Sequence, residues 1–275
     1  MNIKFVLSLV VLVALLVGQS EAQNKNQRRN RNRNKKTDQC HLKEMETCLN
    51  KMQSLGKGKD PTSLIATAEG LDKICNTIRE DTIKCIKAYG KKCGTPLHRE
   101  VMDLVVDQIT GRLNVFCKAD NPDRKDFLKE SPCIHQKVLS TEEYKKGCNN
   151  NFLATVDQVD DEITGQADDS HSRMCCGYSV WYDCTTKMIK DKCGDLAIKN
   201  YGKFMGGVFG TLTNMACPVD LFPAESDQCQ KLKPVPGTKA KGKIGDNALT
   251  KYVTSLFSFM FITDETEEIK EVTTR

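Results

Sequence analysis

The sequence predicts an all-α fold, a disulfide-stapled helical bundle made of two tandem six-cysteine units. Three observations predict it. The chain of 275 residues carries fourteen cysteines. Four of these recur at one offset: Cys48, Cys75, Cys93 and Cys117 return as Cys148, Cys175, Cys193 and Cys217, each one hundred positions later. Between them, apolar residues return every three or four positions, the period of a helix with one buried face.

Residues 1–22 read as a secretory signal. Lys4 supplies the positive start, Phe5–Val17 is apolar apart from Ser8, and Ser20-Glu21-Ala22 fits a small-x-small cleavage site. The apolar run is shorter than the roughly 20 residues needed to span a bilayer, so no membrane span is expected. Export to an oxidising compartment favours paired thiols. The chain has no C-x-x-C pair, and its histidines, His41, His98, His135 and His171, form no two-histidine motif. No metal and no cofactor are expected.

Residues 23–39 form a basic tail. Lys25, Arg28, Arg29, Arg31, Arg33, Lys35 and Lys36 stand against Asp38 alone, so the tail holds +6 and the rest of the chain is near neutral. With no apolar residues it has nothing to bury. Arg28, Arg29, Arg31, Arg33, Lys35 and Lys36 are candidate anion-binding groups for sulfated glycans or acidic surfaces. The same run is a site for proteolytic trimming. A nucleic-acid partner is not expected of an exported chain.

The first unit spans residues 40–117. Leu42, Met45, Leu49, Met52 and Leu55 form a helical stripe, and Asp60-Pro61 reads as a cap followed by a first-turn proline. The stripe continues through Leu64, Leu71, Ile74, Ile78, Cys85 and Tyr89, with Gly70 a possible break and Gly94 a stop. Thr95-Pro96 starts the next helix, with Val101, Leu104, Val105, Gln108 and Ile109 as its apolar face, extended by Leu113 and Phe116. Residues 118–132, which contain Asn121-Pro122-Asp123, read as a linker.

The second unit spans residues 133–229 and repeats the plan. Cys133, Cys148, Cys175, Cys184, Cys193 and Cys217 answer to Cys40, Cys48, Cys75, Cys85, Cys93 and Cys117, and glycine follows the fifth cysteine in both (Gly94, Gly194). Cys176 and Cys229 are left over and are expected to bond to each other. Pairing within each unit stays open, because six cysteines allow fifteen patterns. Cys75 and Cys93 lie 18 positions apart. On one continuous helix they share a face about 27 Å apart, so each must reach a neighbouring helix.

The last helix of the second unit, 195–217, carries Tyr201, Phe204, Met205, Val208, Phe209, Leu212 and Met215. Phe204, Met205, Phe209 and Met215 are candidate liners of a ligand site between helices. Gly202, Gly206 and Gly210 recur every four residues and suit close helix packing. Asp157, Asp160, Asp161, Glu162, Asp168 and Asp169 read as a solvated acidic loop, since the ligand order of an EF-hand is missing. Residues 230–275 read as a flexible connector and a C-terminal apolar and charged segment, in which Tyr252–Ile262 is apolar and expected to dock on the bundle or bind a partner.

The tract Cys175-Cys176, Cys184, Cys193-Gly194 and Cys217 resembles secreted cysteine-rich proteins of arthropods such as the 27 kDa hemolymph glycoprotein family. It is also similar to the cysteine-rich helical domains of nematode secreted proteins. The resemblance covers roughly residues 40–229 and implies an extracellular helical fold without catalytic residues. The chain departs from a glycoprotein in having no N-x-S/T acceptor.

The catalytic patterns G-x-S-x-G, H-E-x-x-H, the P-loop and the dinucleotide-binding glycines are missing too. The expected function is therefore non-enzymatic: an extracellular or hemolymph protein that binds a small apolar ligand or a protein partner. The alternative is a structural or matrix-associated protein that uses its basic tail on anionic polymers.

Overall fold

A computed structural model describes residues 42–56, 60–163 and 170–241. Among them the secondary structure is entirely helical. The signal region, the basic tail, Cys40 and residues 242–275 lie outside the described residues.

The first helix, α1 (Leu42–Gln53), buries Met45, Leu49 and Met52 of the expected stripe and Cys48 beside them, and Leu55 is buried just after it. Asp60-Pro61 does start a helical turn, but a short 3-10 one, Pro61–Ala66. The longer helix begins after a second cap, where the Thr67 hydroxyl accepts from Gly70 N at 3.0 Å, and α2 runs Ala68–Asn76. Gly70 is not the break expected. It is buried inside α2, and a Cβ there would lie 2.0 Å from the Leu64 carbonyl oxygen. Glycine lets the 3-10 turn cross directly over the helix.

Asp60 also reaches across the chain. Its carboxylate accepts from the Thr62 hydroxyl at 2.6 Å and from His135 Nε2 at 2.6 Å. Burial works against the charge, but the bonds from Thr62 and then His135 outweigh it and hold Asp60 below the usual carboxylate range. A depressed folded pKa stabilises above the unfolded value of about 3.9, and that contribution is lost as pH falls through the folded one. Wild type is therefore expected to be more stable than Asp60→Asn near neutrality, with the gap closing below about pH 4. Melting curves against pH check this, and parallel profiles for the two proteins would refute it.

A π-helical stretch, Thr77–Ile83, joins α2 to α3 (Lys84–Cys93) without a break. In the second half the corresponding helix, α8 (Ser170–Cys193), is α-helical throughout. The difference has a cause in the sequence. Cys75 and Cys85 are ten positions apart, whereas Cys175 and Cys184 are nine apart. The wider π turn takes up the extra residue and keeps the later residues on their faces.

The disulfides then follow one scheme. Cys48–Cys85 corresponds to Cys148–Cys184, and Cys75–Cys117 to Cys175–Cys217. Cys133 bonds Cys193, and Cys176 bonds Cys229, as the leftover pair requires. Cys93 is also disulfide-bonded. Its equivalence to Cys193 predicts Cys40 as the partner, and peptide mapping of the unreduced protein checks this; either residue linked elsewhere would break the scheme.

Helix α4 (Pro96–Phe116) corrects the expected face. Its core stripe is Met102, Val106, Ile109, Leu113 and Phe116, while Val101 and Leu104 point to solvent. The reading of 118–132 as a linker is also corrected. After Asn121, whose side chain accepts from Arg124 N at 2.9 Å, helix α5 (Pro122–Cys133) begins. It buries Phe127 completely. It also buries Arg124, whose guanidinium donates to Cys117 O, Ala68 O and Asp72 at 2.9, 3.0 and 2.6 Å. A π turn (Ile134–Leu139), the single turn α6 (Glu142–Tyr144) and another π turn (Lys145–Asn149) lead into α7 (Asn150–Ile163).

Helix α8 packs on α7 and α9. The expected helix 195–217 is two helices, α9 (Asp195–Val208) and α10 (Gly210–Ala216), parted at Phe209. Gly194, before α9, has φ +89°, a left-handed conformation that favours glycine, whereas Gly94 is ordinary extended backbone at φ −69°. Helix α9 lies against α4, α5 and α8, so the two halves share one hydrophobic core running from Met45 to Cys217. The close helix approach falls on Gly207, where a Cβ would lie 2.9 Å from the Phe116 ring, and not on the Gly202, Gly206 and Gly210 series.

Candidate functional site

After Cys217 the chain leaves the bundle and returns over α7 and α8 as a strap, residues 218–241, which contains the short helix α11 (Asp227–Lys231). Ser226 caps α11, accepting from Cys229 N at 3.3 Å. The Cys176–Cys229 disulfide fixes α11 to α8. Glu225 pairs with Lys187 of α8 at 3.2 Å, and Arg173 of α8 donates to Leu232 O at 3.2 Å. Farther on, Asn150 of α7 donates to Thr238 O at 3.2 Å and accepts from Ala240 N at 3.3 Å. Asp157 accepts from Lys241 N at 2.6 Å. These bonds explain why Asp157 is buried and not in a solvated acidic loop. The connector expected from residue 230 onward is thus tied down as far as Lys241. Asp160, Asp161 and Glu162 fall in α7, and Asp168 and Asp169 lie outside the described residues.

Between strap and helices lies a half-open cleft of about 510 Å³. That volume suits one small molecule, since ligand sites commonly measure about 300–1,000 Å³. Phe152 and Trp181 back it, stacked at 5.2 Å, with Val180 beside them and Leu232, Pro234 and Pro236 on the strap side. The Trp181 indole is held in place by donating to the Tyr144 hydroxyl at 3.0 Å. Burial pushes the Tyr144 phenol up to about 12, against the opposing bonds from Thr185 and Trp181.

The charged groups at the cleft are paired or hydrogen-bonded. Lys187 sits between Asp183 at 2.8 Å and Glu225 at 3.2 Å, and these two bonds raise its pKa, Asp183 first. Lys233 donates to Gln230 at 2.7 Å. Two cations and two carboxylates balance, so the cleft has no net charge, and Asn151, Thr155 and Gln230 add uncharged polar groups to its apolar lining.

The first half is built differently at the corresponding positions. Asn76 follows Cys75 where Cys176 follows Cys175, and counting back from Cys85 and Cys184 puts Asp81 and Thr82 where Val180 and Trp181 stand. Glu80 beside them is exposed and paired with Lys84 and Arg79. The apolar cleft wall and the extra disulfide are thus features of the second half.

The candidate liners expected from sequence lie elsewhere. Phe204 and Met205 are buried in the core, Phe209 is half-buried with its ring edge against Phe204, and Met215 is 52% exposed. None of the four lines the cleft. Phe204 and Met205 mark the buried side of α9, which packing fills, while Phe209 sits at the break after it and Met215 on the exposed side of α10. The candidate anion-binding residues, Arg28 to Lys36, lie outside the described residues.

His171, Cys175 and Cys217 bring three metal-ligating atoms within 4.8 Å. The two sulfurs are bonded to each other, so neither offers a thiolate. His171 Nε2 donates to the Ala216 carbonyl at 2.8 Å. No described helix is long and apolar enough to cross a membrane.

Comparison with protein-family models, with curated proteins and with solved structures gave no match. The cleft itself had one trace in the sequence, the leftover Cys176 and Cys229.

Proposed function

We propose that the chain is a secreted, non-enzymatic binding protein that carries a small, uncharged apolar ligand in the cleft under the strap. The observation that carries this reading is the cleft itself: about 510 Å³, half open, backed by Phe152, Val180 and Trp181 and roofed by a disulfide-pinned strap. The disulfides and the signal-like residues 1–22 support an extracellular setting. The resemblance to arthropod hemolymph and nematode secreted proteins fits the same setting.

Trp181 is the one tryptophan of the chain and lies in the cleft wall. Its emission therefore reports on the site. Titration with N-phenyl-1-naphthylamine is expected to quench Trp181 saturably. Val180→Lys, which puts a charge in the cleft at a half-buried position, is expected to weaken binding by about tenfold or more. Absence of saturable quenching, or equal quenching in the variant, would overturn the reading.

The basic tail favours a second activity, since seven basic side chains fall within residues 23–39. We propose that it binds anionic polymers. Retention on immobilised heparin that disappears when residues 23–36 are deleted supports this, and retention of the shortened protein counts against it.

A further inference from the structure

Helix α4 carries two stripes. The inner one, Met102, Val106, Ile109, Leu113 and Phe116, is buried. The outer one is a regular seam. Leu97, Val101, Leu104, Gln108, Gly111 and Val115 are separated in turn by four, three, four, three and four positions. All six are exposed, Leu104 and Val115 by 60% and 57%. Steps of that kind average 3.5 residues, the repeat of helices that pack along one another. At about 100° per residue the six fall within about 80° of one another, and their centre lies roughly 140° from that of the inner stripe.

The two flanks of the seam differ in charge. Glu100 and Asp107 stand on one side, about 60–80° from its centre, and Arg112 on the other, about 60° from it. All three are exposed. Asp107 takes Lys87 of α3 at 2.6 Å, yet its side chain stays 67% accessible. Arg112 has no ion pair among the described residues.

This asymmetry selects a partner and a direction. Two copies of α4 pointing the same way, related by a two-fold axis along the seam, set the acidic flank of each beside the basic flank of the other. Asp107 then faces Arg112 of the second copy, five positions further along, and symmetry makes the contact twice. Copies pointing opposite ways would set acid against acid. In the parallel arrangement each layer meets its own counterpart: Leu104 packs on Leu104, and the two Gln108 amides bond to each other, a polar layer that fixes register.

We propose that the Leu97–Val115 seam is an interface between two copies of this chain, with α4 parallel to its counterpart and Asp107 paired with Arg112 across it. The seam measures about 28 Å by 10 Å on each partner, roughly 600 Å² in all. Stable complexes bury about 1,200 Å² or more, so this dimer is a weak, reversible one that forms at high protein concentration.

Sedimentation equilibrium of the full-length secreted protein up to about 0.5 mM tests it. Wild type is expected to self-associate in that range, and a protein that stays monomeric overturns the proposal. Asp107→Arg and Arg112→Asp each set like charges across the seam, and each is expected to weaken the dimer about tenfold or more. Unchanged association of either variant overturns the proposal. Mixed in equal amounts, the two variants are expected to associate as wild type does, because both contacts between unlike chains again join acid to base. A fault in folding would not produce that rescue, and a mixture as dissociated as its components overturns the proposal. A photoreactive benzoylphenylalanine in place of Leu97 reads the direction. Links to residues 97–101 of a second chain are expected, whereas links to its 111–115 end, or within one chain, overturn the parallel seam.

Discussion

Phe127→Ala is expected to cost about 3–5 kcal/mol, the range for deleting a buried aromatic ring. Arg124 and the Cys133–Cys193 bond also fasten α5, but its apolar burial rests on one ring. Most of that helix is charged or polar, and Phe127 is its one fully buried large apolar side chain. The ring stacks on Phe204 of α9, centroids 4.4 Å apart and planes 8° from parallel. Phe204 meets Phe116 of α4 edge-on at 5.8 Å. One ring from each of three helices thus closes the seam where the halves of the chain meet. Asn200 adds a bond from α9 to Asp126 O at 3.3 Å. Removing Phe127 leaves a cavity bounded by covalently stapled helices, which collapse poorly into it. For a chain of this size the cost corresponds to a fall in Tm of about 6–20 °C. Denaturant and thermal melts would measure it. A loss below about 1 kcal/mol would show that the seam is held by something other than this ring stack.

The same helix shows where sequence reasoning reaches its limit. PDRKDFLKESPC has a low apolar content and an internal proline, so its pattern resembles a connection, although the Asn121-Pro122 start was visible. What makes it structural is non-local: Arg124 reaching Ala68 O and Phe127 reaching Phe204. In α4 the failure is of another kind. Two stripes, each at helical spacing and partly adjacent in sequence, offer a buried face, and periodicity alone does not say which one meets the core. The cysteines were the most legible feature. Their offsets carried the helical plan and the Cys176–Cys229 bond, and even the one-residue discrepancy between Cys85 and Cys184 has a physical counterpart in the π stretch Thr77–Ile83. The cleft was the least legible, because its roof is an irregular strap whose path follows scattered side-chain bonds and not a period.

The second large effect is expected from replacing Cys176 and Cys229 together with alanine. Losing the bond removes a cross-link spanning 53 positions, a change worth about 2–4 kcal/mol. The remaining ties are weaker. The Lys187–Glu225 pair is solvent-exposed, with side chains 63% and 78% accessible, and such pairs contribute about 0–1 kcal/mol. The loss should therefore fall on the strap and not on the bundle, whose other described disulfides sit between helices. Limited proteolysis is expected to cut the double variant within residues 218–236 first, while far-UV circular dichroism stays close to wild type. Quenching of Trp181 by the naphthylamine probe should weaken in parallel, because Leu232, Pro234 and Pro236 would no longer be held over the indole. Removing Cys48–Cys85 instead ties α1 less firmly to α3, away from the cleft, and should lower the global Tm. If the two disulfide variants melted alike and bound the probe alike, the strap would be part of the cooperative core. The cleft would then be a packing defect rather than a site with a separable roof.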